Sequence, residues 1–127
     1  MFLPDSEAHA MLDARFKNGP ARELGVSTTE PRLQGGVYVD VTEPAATDYS
    51  RVPVPASAWP AASERAVQTD VVLADPVTDW GVGVAWVLFN TSTGAAEYAG
   101  VFEEGADLRA GASNITITAR VEFPDSI

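Results

Sequence analysis

His9 is the one imidazole in the sequence, and a proton-shuttling site would have to be built around it. No serine lies in a Gly-x-Ser-x-Gly turn, so a Ser-His-Asp arrangement has no nucleophile to start from, and a hydrolase ranks last among the readings. His9 reads as a surface or interface residue. Two acidic groups, Asp75 with Asp79 and Glu103-Glu104 with Asp107, invite comparison with calcium sites or paired catalytic carboxylates. Neither has the alternating ligand spacing of an EF-hand loop. In a chain with 18 acidic residues such pairs arise in loops routinely, so they read as solvated turn residues. No catalytic residue, metal ligand or cofactor site is expected.

Aromatic side chains supply the remaining chemistry. Trp59, Trp80 and Trp86 could form a platform for a sugar ring, which needs exposed aromatic faces beside polar groups. Trp86 alternates with valines and is expected in the core, and Trp80, following Asp79 at a strand entrance, is expected to pack. Trp59, between Ala58 and Pro60 in a loop, is the one expected to meet a ligand or partner. Asn90-Thr91-Ser92 and Asn114-Ile115-Thr116 match the N-glycosylation pattern, a triplet short enough to recur by chance.

Most of the elements that must carry these residues are strands. The exception is the segment Glu7 to Lys17, which places Ala8, Met11, Leu12 and Phe16 at helical spacing behind the N-cap candidates Asp5 and Ser6, with Asn18-Gly19-Pro20 closing it. Phe2 and Leu3 precede it at a terminus that is ordinarily polar. Phe2, Leu3, Met11, Leu12 and Phe16, together with Trp59, form the expected partner interface. The alternative is that this helix caps one open end of its own domain.

Beyond Pro20 the pattern has a period of two. Val37, Val39 and Val41 alternate with Tyr38 and Asp40 as in a half-buried strand, and Val82 to Phe89 is apolar on both faces and predicts a central strand. Ile115, Ile117, Ala119, Val121 and Phe123 share one face against Asn114, Thr116, Thr118, Arg120 and Glu122 on the other. Shorter strands are expected at Arg22 to Ser27, Arg51 to Val54, Ala66 to Leu73 and Glu97 to Phe102. Pro53 and Pro55 confine the Arg51 segment to an edge or a linker. The spacing of strands and turns predicts a mainly β fold, an antiparallel β-sandwich of about seven or eight strands with one short N-terminal helix. Residues 1–19 form an arm and helix, and residues 20–127 the sandwich.

Composition narrows the partners. With 127 residues, a net charge of −10 and eight basic residues spread without a cluster, the chain is one domain that lacks the basic patch nucleic acid requires. There is no cysteine, which removes disulfide frameworks and thiolate chemistry. The start Met-Phe-Leu-Pro-Asp has no signal-peptide pattern, and no apolar run approaches a membrane span, so neither secretion nor a membrane is expected.

In order along the chain come Val26-Ser27-Thr28-Thr29-Glu30-Pro31, Gly35-Gly36, Tyr49-Ser50-Arg51-Val52-Pro53-Val54, Asp79-Trp80-Gly81, Val87-Leu88-Phe89-Asn90 with Thr93-Gly94, and Tyr98-Ala99-Gly100. This order of segments resembles a family of short actinobacteriophage and related phage proteins, described as tail-fibre-like or head-associated β-sandwiches. The resemblance spans Leu12 to Phe123, departing at Arg22-Glu23-Leu24-Gly25 and at Gly36-Val37-Tyr38-Val39. It implies a non-enzymatic structural protein of a tailed-phage virion, assembled in the host cytoplasm and placed on the capsid exterior as decoration or at the tail tip or fibre. Its implied partners are major capsid or tail proteins and other copies of itself in a homo-oligomer, with a host-surface glycan as a further ligand. The alternative is a free carbohydrate-binding or adhesion module.

Overall fold

The computed structural model, which describes residues 4–122, has eight strands. Phe2, Leu3 and Phe123 lie outside the described residues. The strands are β1 (Arg22–Ser27), β2 (Arg32–Gln34), β3 (Val37–Val39), β4 (Val52–Val54), β5 (Ala66–Val72), β6 (Val82–Asn90), β7 (Ala96–Asp107) and β8 (Thr116–Glu122). One α-helix, α1 (Asp5–Arg15), precedes them, and a single 3-10 turn covers Ala56–Ala58. The fold is mainly β, with antiparallel pairing throughout.

A four-stranded sheet runs β4-β1-β6-β7, and β5 pairs with β8 as a second layer. Leu24, Val26, Trp86 and Leu88 from the first layer share one core with Val67, Val71, Ile117 and Ala119 from the second. The register explains this: Leu24 faces Leu88 and Val26 faces Trp86, while Val71 faces Ile117 and Thr69 faces Ala119. On the outer face of β5 and β8, Arg120 donates to Gln68 and Thr118 to Asp70. The expected sandwich is therefore present in outline.

β6 is apolar on both faces because both are covered. Val87, Phe89 and Ala96 form a second cluster with Tyr38 and Val41 on the far side of the sheet. Those two residues arrive on the β2–β3 hairpin and the segment after it. Gly35 and Gly36, both with positive φ (63° and 83°), form the two-residue turn that joins the hairpin's strands. Gly100 sits opposite Trp86 for a different reason: a Cβ there would lie 2.4 Å from the indole Nε1, so only glycine lets the ring lie flat on β7. β4 is a sheet edge, where the missing N–H of Pro53 leaves no central ladder broken.

The helix differs from expectation at its start. Asp5 and Ser6 lie inside α1, Pro4 occupies the N-cap position without a side-chain cap, and Asp5 and Glu7 instead place carboxylates in the first turn, where the helix dipole favours them. At the other end Gly19 donates to the carbonyl of Phe16, and a Cβ on Gly19 would lie 2.0 Å from the Arg15 carbonyl oxygen. Ala8, Leu12 and Phe16, spaced by four, face inward and are buried. The helix thus belongs to the sandwich's own core and is not a separate arm.

Because Gly100 must stay flat under Trp86, Gly100→Ala should destabilise the domain by about 1–3 kcal/mol, the usual cost of overpacking. Trp86→Ala should cost about 3–5 kcal/mol through its cavity. Thermal and denaturant unfolding check both, and a Gly100→Ala melt equal to wild type would contradict the packing described.

Candidate functional site

The residues expected to meet a partner divide sharply. Leu12, Phe16 and Trp59 are 3%, 0% and 3% exposed and serve the chain's own core. Met11, 40% exposed, remains at the surface. Trp59 was expected on the surface from its loop setting, but the 3-10 turn and the following bend carry it under the helix. There its ring meets Phe16 at 4.6 Å between centroids, tilted by 53°. Its indole N–H has no acceptor among the described residues, so packing alone holds it.

Phe16 also meets Tyr98, on β7, at 4.9 Å. Over both rings lies the guanidinium of Arg22, 4.7 Å from the Phe16 centroid and 5.3 Å from that of Tyr98. Arg22 is buried, donates from Nη1 to the carbonyl of Arg15 at 2.8 Å, and pairs with Glu97 at 3.0 Å. It thereby satisfies a carbonyl that the last turn of α1 leaves open. Beside this joint is a groove of about 210 Å³, floored by Met11, Leu12, Phe16 and Val121, with Arg15, Tyr98 and Glu122 also lining it.

Of the residues whose types suggested chemistry, His9, Asp79 and Asp107 have partners within the chain, and Asp75, Glu103 and Glu104 are exposed. His9 Nε2 accepts the backbone N–H of Arg65 at 2.9 Å. Its sequence reading was a plain surface or interface side chain; here the ring is half-buried and bonded to another segment of the same chain. The bond tethers α1 to a turn in which Glu64 and Arg65 have φ of 51° and 60°, and Asp13 adds a second tether by accepting from the backbone N–H of Ala62. Asp79 accepts from Gly81 N–H at 2.8 Å. Glu103, Glu104 and Asp107 lie in β7 and not in a turn, because β7 bulges: Phe102 to Gly105 stand opposite Val84 alone. No three acidic or histidine side chains gather as a metal site among the described residues.

Trp80 and Trp86 are buried as expected, 4% and 6% exposed. Asn90 is also buried, its side-chain oxygen accepting from Ser92 and Thr93 N–H within a turn, whereas Asn114 is exposed with φ of 57°.

Two polar clusters were not anticipated. Asp48 accepts hydrogen bonds from the Thr78 hydroxyl, from the backbone N–H groups of Val77 and Thr78, and from Trp80 Nε1 at 3.1 Å. These donors, the Thr78 hydroxyl foremost, hold its carboxyl well below the usual range. In the second cluster Arg51 stacks 3.6 Å above the Phe89 ring and pairs with Glu43 at 2.7 Å. Glu43 also accepts from the Tyr49 hydroxyl at 2.6 Å, and that hydroxyl accepts the N–H of Val26. Burial, then the Glu43 carboxylate, pushes the Tyr49 phenol above its ordinary value. A Cβ at Gly25 would meet Tyr49 Oη at 2.7 Å, so the cluster needs glycine at that point on β1. Asp48 lies thirty positions from Thr78, and no local pattern announces such a contact.

Comparison with protein-family models, curated proteins and solved structures finds no match to this chain.

Two outcomes follow. Trp59→Ala should cost about 3–5 kcal/mol in denaturant unfolding, with Trp59→Phe much milder since no hydrogen bond is lost; equal stability of Trp59→Ala and wild type would place the ring outside the core. The Asp48 carboxyl is depressed in the folded state, so its contribution is present above about pH 4, the unfolded value, and is lost as pH falls toward the folded one. Wild type should therefore lose stability in acid more steeply than Asp48→Asn, which melts recorded from pH 6 to pH 2.5, a range of about 3.5 units around that value, will show. Parallel pH profiles would contradict the role assigned to Asp48.

Proposed function

We propose that this chain is a non-enzymatic structural module that joins a larger assembly, an accessory β-sandwich subunit on the surface of a tailed-bacteriophage particle. The observation that supports the non-enzymatic part is the engagement of five titratable groups within the chain. His9, Glu43, Asp48, Tyr49 and Asp79 each hold a loop or a strand in place, and a group so committed is poorly placed to exchange protons with a substrate. The virion part rests on the order of sequence segments, from Val26-Ser27-Thr28-Thr29 to Tyr98-Ala99-Gly100, and on an acidic exterior that suits a displayed subunit. Capsid decoration and tail attachment fit equally. Many copies on a lattice would act through avidity, so each contact can be weak.

A glycan-binding module needs a row of exposed aromatic faces. Trp59, Trp80 and Trp86 are at most 6% exposed, so the tryptophans do not supply one, and the structural-subunit reading is preferred.

Mass spectrometry of density-banded particles from the source culture tests the proposal. The chain is expected in the particle band at a fixed ratio to the major capsid or tail protein. Its confinement to the soluble fraction would overturn the virion reading. His9→Ala should cost stability of about 1 kcal/mol through loss of the acceptor for Arg65 N–H, and leave particle incorporation unchanged. Loss of incorporation in a folded His9→Ala chain would give the imidazole a functional role.

A further inference from the structure

Each of six basic residues in this chain has a carboxylate partner: Arg22 with Glu97, Arg32 with Asp40, Arg51 with Glu43, Arg65 with Asp5, Arg109 with Asp107 and Arg120 with Glu122. Of the eight in the sequence, that leaves Arg15 and Lys17, which have no carboxylate partner among the described residues. Both lie at the end of α1, and Arg15 lines the groove whose floor is Met11, Leu12, Phe16 and Val121. In a chain of charge −10, with carboxylates plentiful, a cation left open beside an apolar floor is complementary to an acidic visitor with an apolar side chain.

We infer that this groove is a docking site for an extended segment of a partner protein that presents one large apolar side chain followed closely by a carboxylate. The inference rests on the interaction-module reading and names the partner's chemistry. A groove of about 210 Å³ accommodates one large apolar side chain, and the exposed thioether of Met11 is an adaptable wall for it. The partner's carboxylate then meets Arg15. The Arg15 guanidinium sits 3.5 Å from the Tyr98 hydroxyl, a contact weak enough to yield to a carboxylate. Glu122 on the rim is already paired with Arg120 at 2.8 Å, which limits its repulsion of an incoming acid. A second copy of this chain is the poorer occupant, since two bodies of charge −10 repel.

The probe is the peptide acetyl-Phe-Ser-Asp-amide, titrated to about 10 mM against the full chain while methyl resonances are followed by NMR. The Met11 and Val121 methyls are expected to shift saturably, and acetyl-Phe-Ser-Asn-amide to bind about two- to fivefold more weakly, the range of an exposed ion pair. Arg15→Gln, an exposed and conservative change, should erase the difference between the two peptides. Met11→Glu should abolish binding of both. Absence of a saturable shift at Met11 and Val121, or equal binding of the two peptides by wild type, overturns the inference. Saturable shifts centred on Leu33 and Val37 of the hairpin would overturn it too, by placing the contact elsewhere. Particle fractionation separates the two readings: Asp-dependent binding with no chain in the particles sinks only the virion reading, and chain in the particles without binding sinks only this one.

Discussion

The joint between α1 and the four-stranded sheet is the constraint on which the rest of the molecule depends. A buried guanidinium, Arg22, sits where helix and strand meet, with the rings of Phe16 and Tyr98 on its face, a helix carbonyl on one nitrogen and Glu97 on another. Taking such a charge out of water is costly, and removing one partner of a buried pair typically costs about 3–5 kcal/mol, so Arg22 and Glu97 are locked together more than they are a source of net stability. What the pair supplies is position. It sets where Phe16 lies, Phe16 sets where Trp59 packs, and Trp59 draws the Pro55 to Pro60 loop against the core between β4 and β5. His9 and Asp13 repeat the tie from the other side of the helix, holding the turn that starts β5.

How much of this could be read in the sequence depends on whether the determining contact is local. β6 was legible as a nine-residue segment apolar on both faces, β8 because its side chains alternate over seven residues, and the Asn18-Gly19-Pro20 stop because the chain must turn tightly there. β2 was missed: Arg32-Leu33-Gln34 is short, mostly polar and fully exposed, and it is a strand only because the Gly35-Gly36 turn folds it onto β3. β7 runs past its expected end because the bulge at Phe102 to Gly105 breaks the period without ending the pairing.

The burial of the helix residues and of Trp59 was half legible for the same reason. Helical spacing put Met11, Leu12 and Phe16 on one stripe, but the inward face is the four-residue series Ala8, Leu12 and Phe16, and Met11 falls on its flank. Trp59 had no period to betray it, since its burial comes from Phe16, forty-three positions away. Arg22 was read only as the first residue of a strand; its partners Arg15 and Glu97 come from two other elements, so nothing beside it in the chain marks it as the joint.

Asp13, Asp48, Asp79 and the His9 imidazole each accept a backbone N–H and so tie loops to the helix or the sheets. The central claim is that α1 is part of the cooperative core, and native-state hydrogen exchange addresses it most directly. The Phe16 amide, bonded to the Leu12 carbonyl at 3.0 Å, should exchange with the same opening free energy as the amides of Val87 and Leu88 in β6. Exchange of Phe16 orders of magnitude faster than β6, at a free energy insensitive to denaturant, would show that the helix opens alone and would contradict the account.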